Sequence, residues 1–436
     1  MLSLLNAIFL HRYQTVFNIN AHYITLFLLY FNFSFLLLLL STLKYNDIIN
    51  PLALYSIFTF CYAFSCLPLS ERQMSSSNTA HIVIFLSILS YVVGVLLYKK
   101  ITFKSIFLIS LRSKRRILLL LVLLSLACFI LEILILGYIP MFHYFDKRNI
   151  YGEIAGGAIP FLHYFVMLST ILPSWAYIYY KHSAITRSTC ITIFIITLCI
   201  LCNSPSRLEM LLFSVSTFLT FNYYFRFSLS KKITFGLLFI IIFLLVGAIR
   251  ISQISEVGQS DYMRAYGNIE YETNLVESVL VSYSSLPFSR FDTLVEQDEI
   301  KDNFHFGKYI LRPLFSIFFL EKLGIIQYEP DTQSLVLTYA IDPYLDFSFF
   351  GTILFNLSFG FYSMHIFRRY DNFNEDSIIT WAIIIFCLIM TPFVNFVNTF
   401  FIWFFWSTNQ ILTPFNPPEM PKRMSRAVNE VRCDYA

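Results

Sequence analysis

Residues 111–139 read LRSKRRILLLLVLLSLACFILEILILGYI. Four basic side chains end at Arg116, and from Ile117 to Ile139 the only charged residue is Glu132. A helix crosses the hydrocarbon core of a bilayer in about 20 apolar residues, so this segment is long enough to span. The basic residues at its start belong to a wider run, Lys99 to Arg116, with seven Lys and Arg and no acid. Loops kept on the cytoplasmic side are enriched in Lys and Arg, which places this loop inside.

The rest of the chain has the same character. Of 436 residues, 57% are hydrophobic, 19% aromatic and 13% charged. A soluble globular protein carries roughly 25% charged residues, so too few are present to cover a water-facing surface. Soluble folds are excluded. The net charge of +4 is small and split between two faces, which argues against a nucleic-acid binder.

Runs of spanning length give eleven predicted helices: Ile24 to Leu43, Ile49 to Leu69, His81 to Tyr98, Ile117 to Ile139, Phe161 to Tyr180, Cys190 to Asn203, Leu208 to Phe225, Ile233 to Ile249, Phe347 to Phe367, Ile378 to Phe396 and Thr399 to Leu412. The predicted fold is an all-α polytopic membrane bundle of 11–12 spans with one large outer loop. It divides into a membrane bundle over 1–249, the loop over 250–346, the last spans over 347–412 and an inner tail over 413–436. Alternating outward from the 99–116 loop, the inner segments collect 19 of the 31 basic residues and 7 of the 27 acids. The outer segments are net acidic. Eleven spans with an inner C-terminus put the N-terminus outside. Residues 1–20 are apolar at first but interrupted, and they lack the basic start of a signal peptide. The eight cysteines fall in spans, near span ends or in the inner tail, so disulfides are not expected, and Cys199 and Cys202 read as packing residues.

The 250–346 loop contains 7 basic and 15 acidic residues and an apolar stretch, Tyr309 to Ile326, interrupted by Arg312, Pro313, Glu321 and Lys322. That stretch is predicted to be an interfacial or re-entrant helix. Substrate handling is expected on this outer face.

No GxxxxGK[ST] loop and no HExxH is present, and the outer loops hold no DxD to carry a divalent ion on a sugar phosphate. No cofactor and no metal is expected. Arginine would then have to neutralise phosphate: its planar fork binds phosphate oxygens in pairs and keeps its charge. The outer arginines are Arg12, Arg72, Arg148, Arg207, Arg250, Arg264, Arg290 and Arg312. Arg207, in NSPSRLEM, stands just after a turn at a helix start, where an anion is well received. The alternative for Arg207 and Arg312 is interfacial snorkelling or an ion pair with Glu209 or Glu321. Glu132 is the only acid inside a predicted span; it serves function, pairs with a basic side chain or faces an aqueous cavity. General-base candidates are His143, His305, Asp292, Asp342 and Asp346, among which spacing does not choose.

Three stretches resemble the bacterial O-antigen polymerases of the Wzy type: SRLEMLLF with Arg207; SRFDTL with Arg290 and Asp292, followed by FGKYILRP with Gly307 and Arg312; and YLDFSFFGTILFNLSFG with Asp346 and Gly351. Two positions depart from that family's pattern, Ser348 where it commonly has glycine and Leu311 where proline is usual. The resemblance implies a GT-C-like helical fold in the bacterial inner membrane, with the active face periplasmic. It implies an inverting, metal-independent glycosyltransferase that moves a growing glycan from undecaprenyl diphosphate onto a new lipid-linked repeat unit. Arg207, Arg290, Arg312, Asp292 and His305 are the expected catalytic residues, with Arg250, Asp346 and Glu132 binding substrate. Expected partners are lipid-linked oligosaccharide donor and acceptor, membrane lipids and a chain-length regulator protein. Two alternatives stay open, an O-antigen ligase and a flippase for lipid-linked oligosaccharides. Against the flippase, no internal repeat is visible.

Overall fold

The computed structural model describes residues 21–66, 78–99, 111–139, 160–203, 206–238, 241, 286–295, 305–317, 325–326, 337–372 and 374–412. Within these residues every regular element is a helix. In chain order they are α1 (Ala21–Tyr45), α2 (Pro51–Ser65), α3 (Asn78–Leu96), α4 (Leu111–Leu136), α5 (Pro160–Met167), α6 (Leu172–Lys181), α7 (Arg187–Asn203) and α8 (Arg207–Phe225). There follow α9 (229–238), α10 (286–295), α11 (Arg312–Ile317), α12 (Ile341–Asp371), α13 (Ser377–Met390) and α14 (Phe400–Leu412).

Among the described residues, four stretches are long and apolar enough to cross a membrane: Ile24–Tyr45, Asn78–Leu96, Ser113–Leu136 and Ile341–Asp371. α2, α7 and α13 are shorter apolar helices. The protein is an all-α, polytopic membrane protein. Large apolar side chains such as Leu29, Leu43, Leu120, Leu123, Leu134 and Ile135 point outward, which water would penalise and hydrocarbon does not.

Among the described residues each predicted span meets a helix, with three differences of detail; residues 67–69, 239–240 and 242–249 of two predicted spans lie outside the described residues, and α13 ends at Met390, short of the predicted Phe396. The span predicted as Phe161 to Tyr180 is broken: α5 tightens into a 3-10 turn at Leu168–Thr170, and α6 starts afresh with Pro173 in its first turn. Proline has no N–H to continue the ladder and its ring crowds the preceding turn. α12 starts before its predicted bound and is kinked at Phe347 and Ser348, so the boundary drawn between 346 and 347 falls on the kink. Ser348 has φ +53°, a region that glycine enters freely and other residues at a cost. Gly351 permits the bend, since a Cβ there would lie 2.2 Å from the Pro343 carbonyl oxygen.

Below the kink α12 is joined to α3 by backbone contact. A Cβ on Gly94 would stand 2.2 Å from the Leu357 carbonyl oxygen, and one on Gly360 would stand 2.3 Å from that of Tyr91. Small residues let helices approach where no water drives them together. Beside this seam the Tyr55 and Tyr91 rings stack at 3.9 Å. The Tyr55 hydroxyl lies 2.5 Å from that of Tyr339, which in turn donates to Asn356. These buried hydroxyls satisfy one another and fix residues 337–340 against the bundle.

Charge divides between the two ends. At one, Lys232 pairs with Asp47 at 2.8 Å, His182 with Glu375, and Arg368 lies over the Tyr45 ring. This is the end assigned to the cytoplasm by the loop charges. At the other gather the residues described next.

Candidate functional site

The outer turn of α12 is the hub. Asp342 and Asp346 are one helical turn apart, which places them on one face of the helix. Asp346 is fully buried, and its carboxylate accepts the backbone N–H of Tyr309 at 3.0 Å and of Ile310 at 2.7 Å. The loop returns two bonds, His305 N–H to the Leu345 carbonyl at 3.3 Å and Phe306 N–H to that of Asp346 at 3.2 Å. Gly307, at φ +88°, makes the turn between them. A buried carboxylate with two amide donors is a strong, charge-assisted anchor. It fixes the segment that carries His305 at one end and Arg312 at the other.

Arg312 opens α11, half-buried. Its guanidinium acts electrostatically on Asp342 and on the Tyr164 hydroxyl. Asp342 also accepts from Asn395 at 2.8 Å and Asn398 at 3.2 Å, so the connection between α13 and α14 closes round it. The sequence alternative for Arg312, a pair with Glu321, lies outside the described residues.

α10 covers the outer end of α2. Phe288 packs on Phe58 and Tyr62, and Phe291 meets Tyr344 of α12 at 6.5 Å. This puts α10, which carries Arg290 and Asp292, beside the same hub. Asp292 acts on the Tyr62 hydroxyl, which is hydrogen-bonded to His81. Arg290 is half-buried and makes no hydrogen bond or ion pair among the described residues.

Arg207 is the first residue of α8, after the N-cap Ser206, whose hydroxyl accepts the Glu209 N–H at 3.4 Å. The sequence has the spacing of a capping box, yet the Glu209 side chain turns inward instead of back to the cap. Its carboxylate lies 3.6 Å from His163 Nε2, and His163 Nδ1 lies 3.0 Å from Glu132. Glu132, His163 and Glu209 are 5%, 8% and 1% exposed. Glu132 therefore meets a basic side chain. Among the described residues, no group of three His, Cys, Asp or Glu is arranged to hold a metal ion. Arg250, His143 and the Arg207 side chain lie outside the described residues.

Sequence reasoning missed His163 and Glu209 as partners of Glu132. The usable signal was physical: an acid within a span requires a partner, and His163 opens the next span at the same level.

A family model described as "Putative O-antigen polymerase" matches residues 18–270. The chain belongs to the O-antigen polymerase family. No curated protein and no solved structure matches it. Membership carries polymerase-type function on lipid-linked oligosaccharides. The matched stretch includes Glu132, His163, Arg207 and Glu209, and it ends before α10, the pinned loop and α12.

Proposed function

We propose that the protein is a periplasm-facing, inverting glycosyltransferase that joins undecaprenyl-diphosphate-linked repeat units into O-antigen. The observation that carries this reading is Arg312, held half-buried at the outer end of the bundle on a loop that a buried carboxylate anchors.

In the reaction a hydroxyl oxygen of the acceptor sugar forms a bond to C1 of the donor glycan. The bond from C1 to the diphosphate oxygen breaks from the opposite face, and the lipid diphosphate leaves with the electron pair. The negative charge on that oxygen grows in the transition state, so preorganised cations there lower the barrier. Arg312, Arg290 and Arg207 supply them, with Arg250 as a further phosphate contact. The hydroxyl proton passes to His305 or Asp292. Asp346 acts through the loop: with its carboxylate taken up by two amides, it sets where His305 and Arg312 stand.

The test is a lipopolysaccharide ladder from cells with the gene deleted, then complemented with Arg312→Ala or Arg207→Ala. A single repeat unit on the core is expected in all three, with the variants present in the membrane at wild-type amount. No repeat at all on deletion would point to a ligase, and wild-type ladders from the variants would remove these arginines from the mechanism. Repeat units joined by purified protein in detergent would exclude a flippase, which makes no glycosidic bond.

A further inference from the structure

Three helix ends from separate stretches meet at Glu132, His163 and Glu209. Glu132 is one turn from the end of α4, His163 is in the first turn of α5, and Glu209 is in the first turn of α8. Such groups are costly inside a membrane protein, and a mutual pairing this well buried indicates a defined task. Its surroundings suggest which one. Glu209 lies two residues after Arg207 on one turn of helix. His163 precedes Tyr164, whose hydroxyl lies in the field of Arg312 and whose ring packs on Phe400 at 4.8 Å. α14, which carries Phe400, also packs against α11. The helix that carries His163 thus reaches α8 through Glu209, and α11 through Tyr164, Phe400 and α14.

We infer that Glu132, His163 and Glu209 form a clamp that sets the spacing between the first turn of α8, where Arg207 stands, and Arg312 on α11. They are positioning residues. Glu132 holds the histidine ring through Nδ1, and the ring holds Glu209 through Nε2. This rests on the proposal above, in which both arginines serve one diphosphate. Misplacing a reacting group by about 1 Å can cost roughly 100-fold in rate, so a clamp acting only on spacing is enough to control turnover.

The two ring nitrogens can be replaced one at a time. The amide of Asn occupies the place of Nδ1, and that of Gln the place of Nε2. His163→Gln therefore keeps a donor toward Glu209, whereas His163→Asn keeps one only toward Glu132. Two readouts are taken on the full-length protein: hydrogen exchange of the 207–211 amides in detergent, and the glycan ladder in cells. His163→Asn is expected to speed exchange in the first turn of α8 and to cut polymerisation roughly 10- to 100-fold at equal membrane amount. His163→Gln is expected to stay closer to wild type in both.

Wild-type exchange and a wild-type ladder in both variants would overturn the clamp. So would losses that merely follow a fall in protein amount, or a His163→Asn variant as active as His163→Gln. Faster exchange in His163→Asn, in a protein whose deletion leaves the ladder unchanged, would keep the clamp and refute the polymerase reading instead.

Discussion

Replacing Asp346 by alanine removes one carboxylate and leaves the Tyr309 and Ile310 amides, at 3.0 and 2.7 Å from it, without their acceptor. A hydrogen bond to a charged group contributes about 1.5–3 kcal/mol, so two give roughly 3–6 kcal/mol to docking of the 305–311 turn. At about 1.4 kcal/mol per decade, the undocked population rises by roughly 100-fold or more. Asparagine keeps one acceptor oxygen and turns an NH2 toward the other amide, so Asp346→Asn should fall between alanine and wild type. Hydrogen exchange at Tyr309 and Ile310 reads this directly, with substrate absent. The ladder reads its consequence, since Arg312 stands two residues beyond the second pinned amide. Slow exchange at both amides in Asp346→Ala would refute the anchor. If that variant also gave no polymer, Asp346 would be a substrate contact and not a positioning residue.

Gly360→Val puts a side chain where a Cβ would already stand 2.3 Å from the Tyr91 carbonyl oxygen, so α3 and α12 must part. The expected cost is about 1–3 kcal/mol or more, read as lower membrane abundance and lower melting temperature. Gly236→Ala is the control, because among the described residues nothing lies within 4 Å of its Cβ; equal damage from both changes would disprove the seam. At the opposite end, the hydrogen bond to Glu375 raises the pKa of His182 above its ordinary value of 6.5. A raised folded value means that this stability is complete below the ordinary value and is lost as pH rises through the raised one. Melting of wild-type protein should therefore fall over that window more than melting of His182→Gln. Parallel curves would show that the pair contributes nothing.

The helices were legible because their signal is local. A run such as Ile117 to Ile139 declares its length, and the basic residues beside it declare its end. Pro173 was visible too, and its effect in dividing α5 from α6 is the ordinary one. Ser348 was recognisable only as a departure from glycine; the positive φ that makes glycine apt there becomes evident once the kink is seen. The arginines could be named from charge and exposure, but what holds them could not. Asp346 looked like a free carboxylate because its partners are backbone amides nearly 40 residues away, which no side-chain pattern encodes. Glu132 announced the need for a partner. The choice of His163 and Glu209 depends on which faces of α4, α5 and α8 meet, and that follows from packing across helices.

The kink in α12 separates two obligations. Below it the helix is seated on α3 too closely to accept even a methyl group, while above it Asp346 grips the 305–311 turn and Asp342 the α13–α14 connection. A lineage facing a new substrate can therefore rewrite the 305–311 segment and leave the α3–α12 seam untouched, with variation accumulating on the Asp346 side of Phe347.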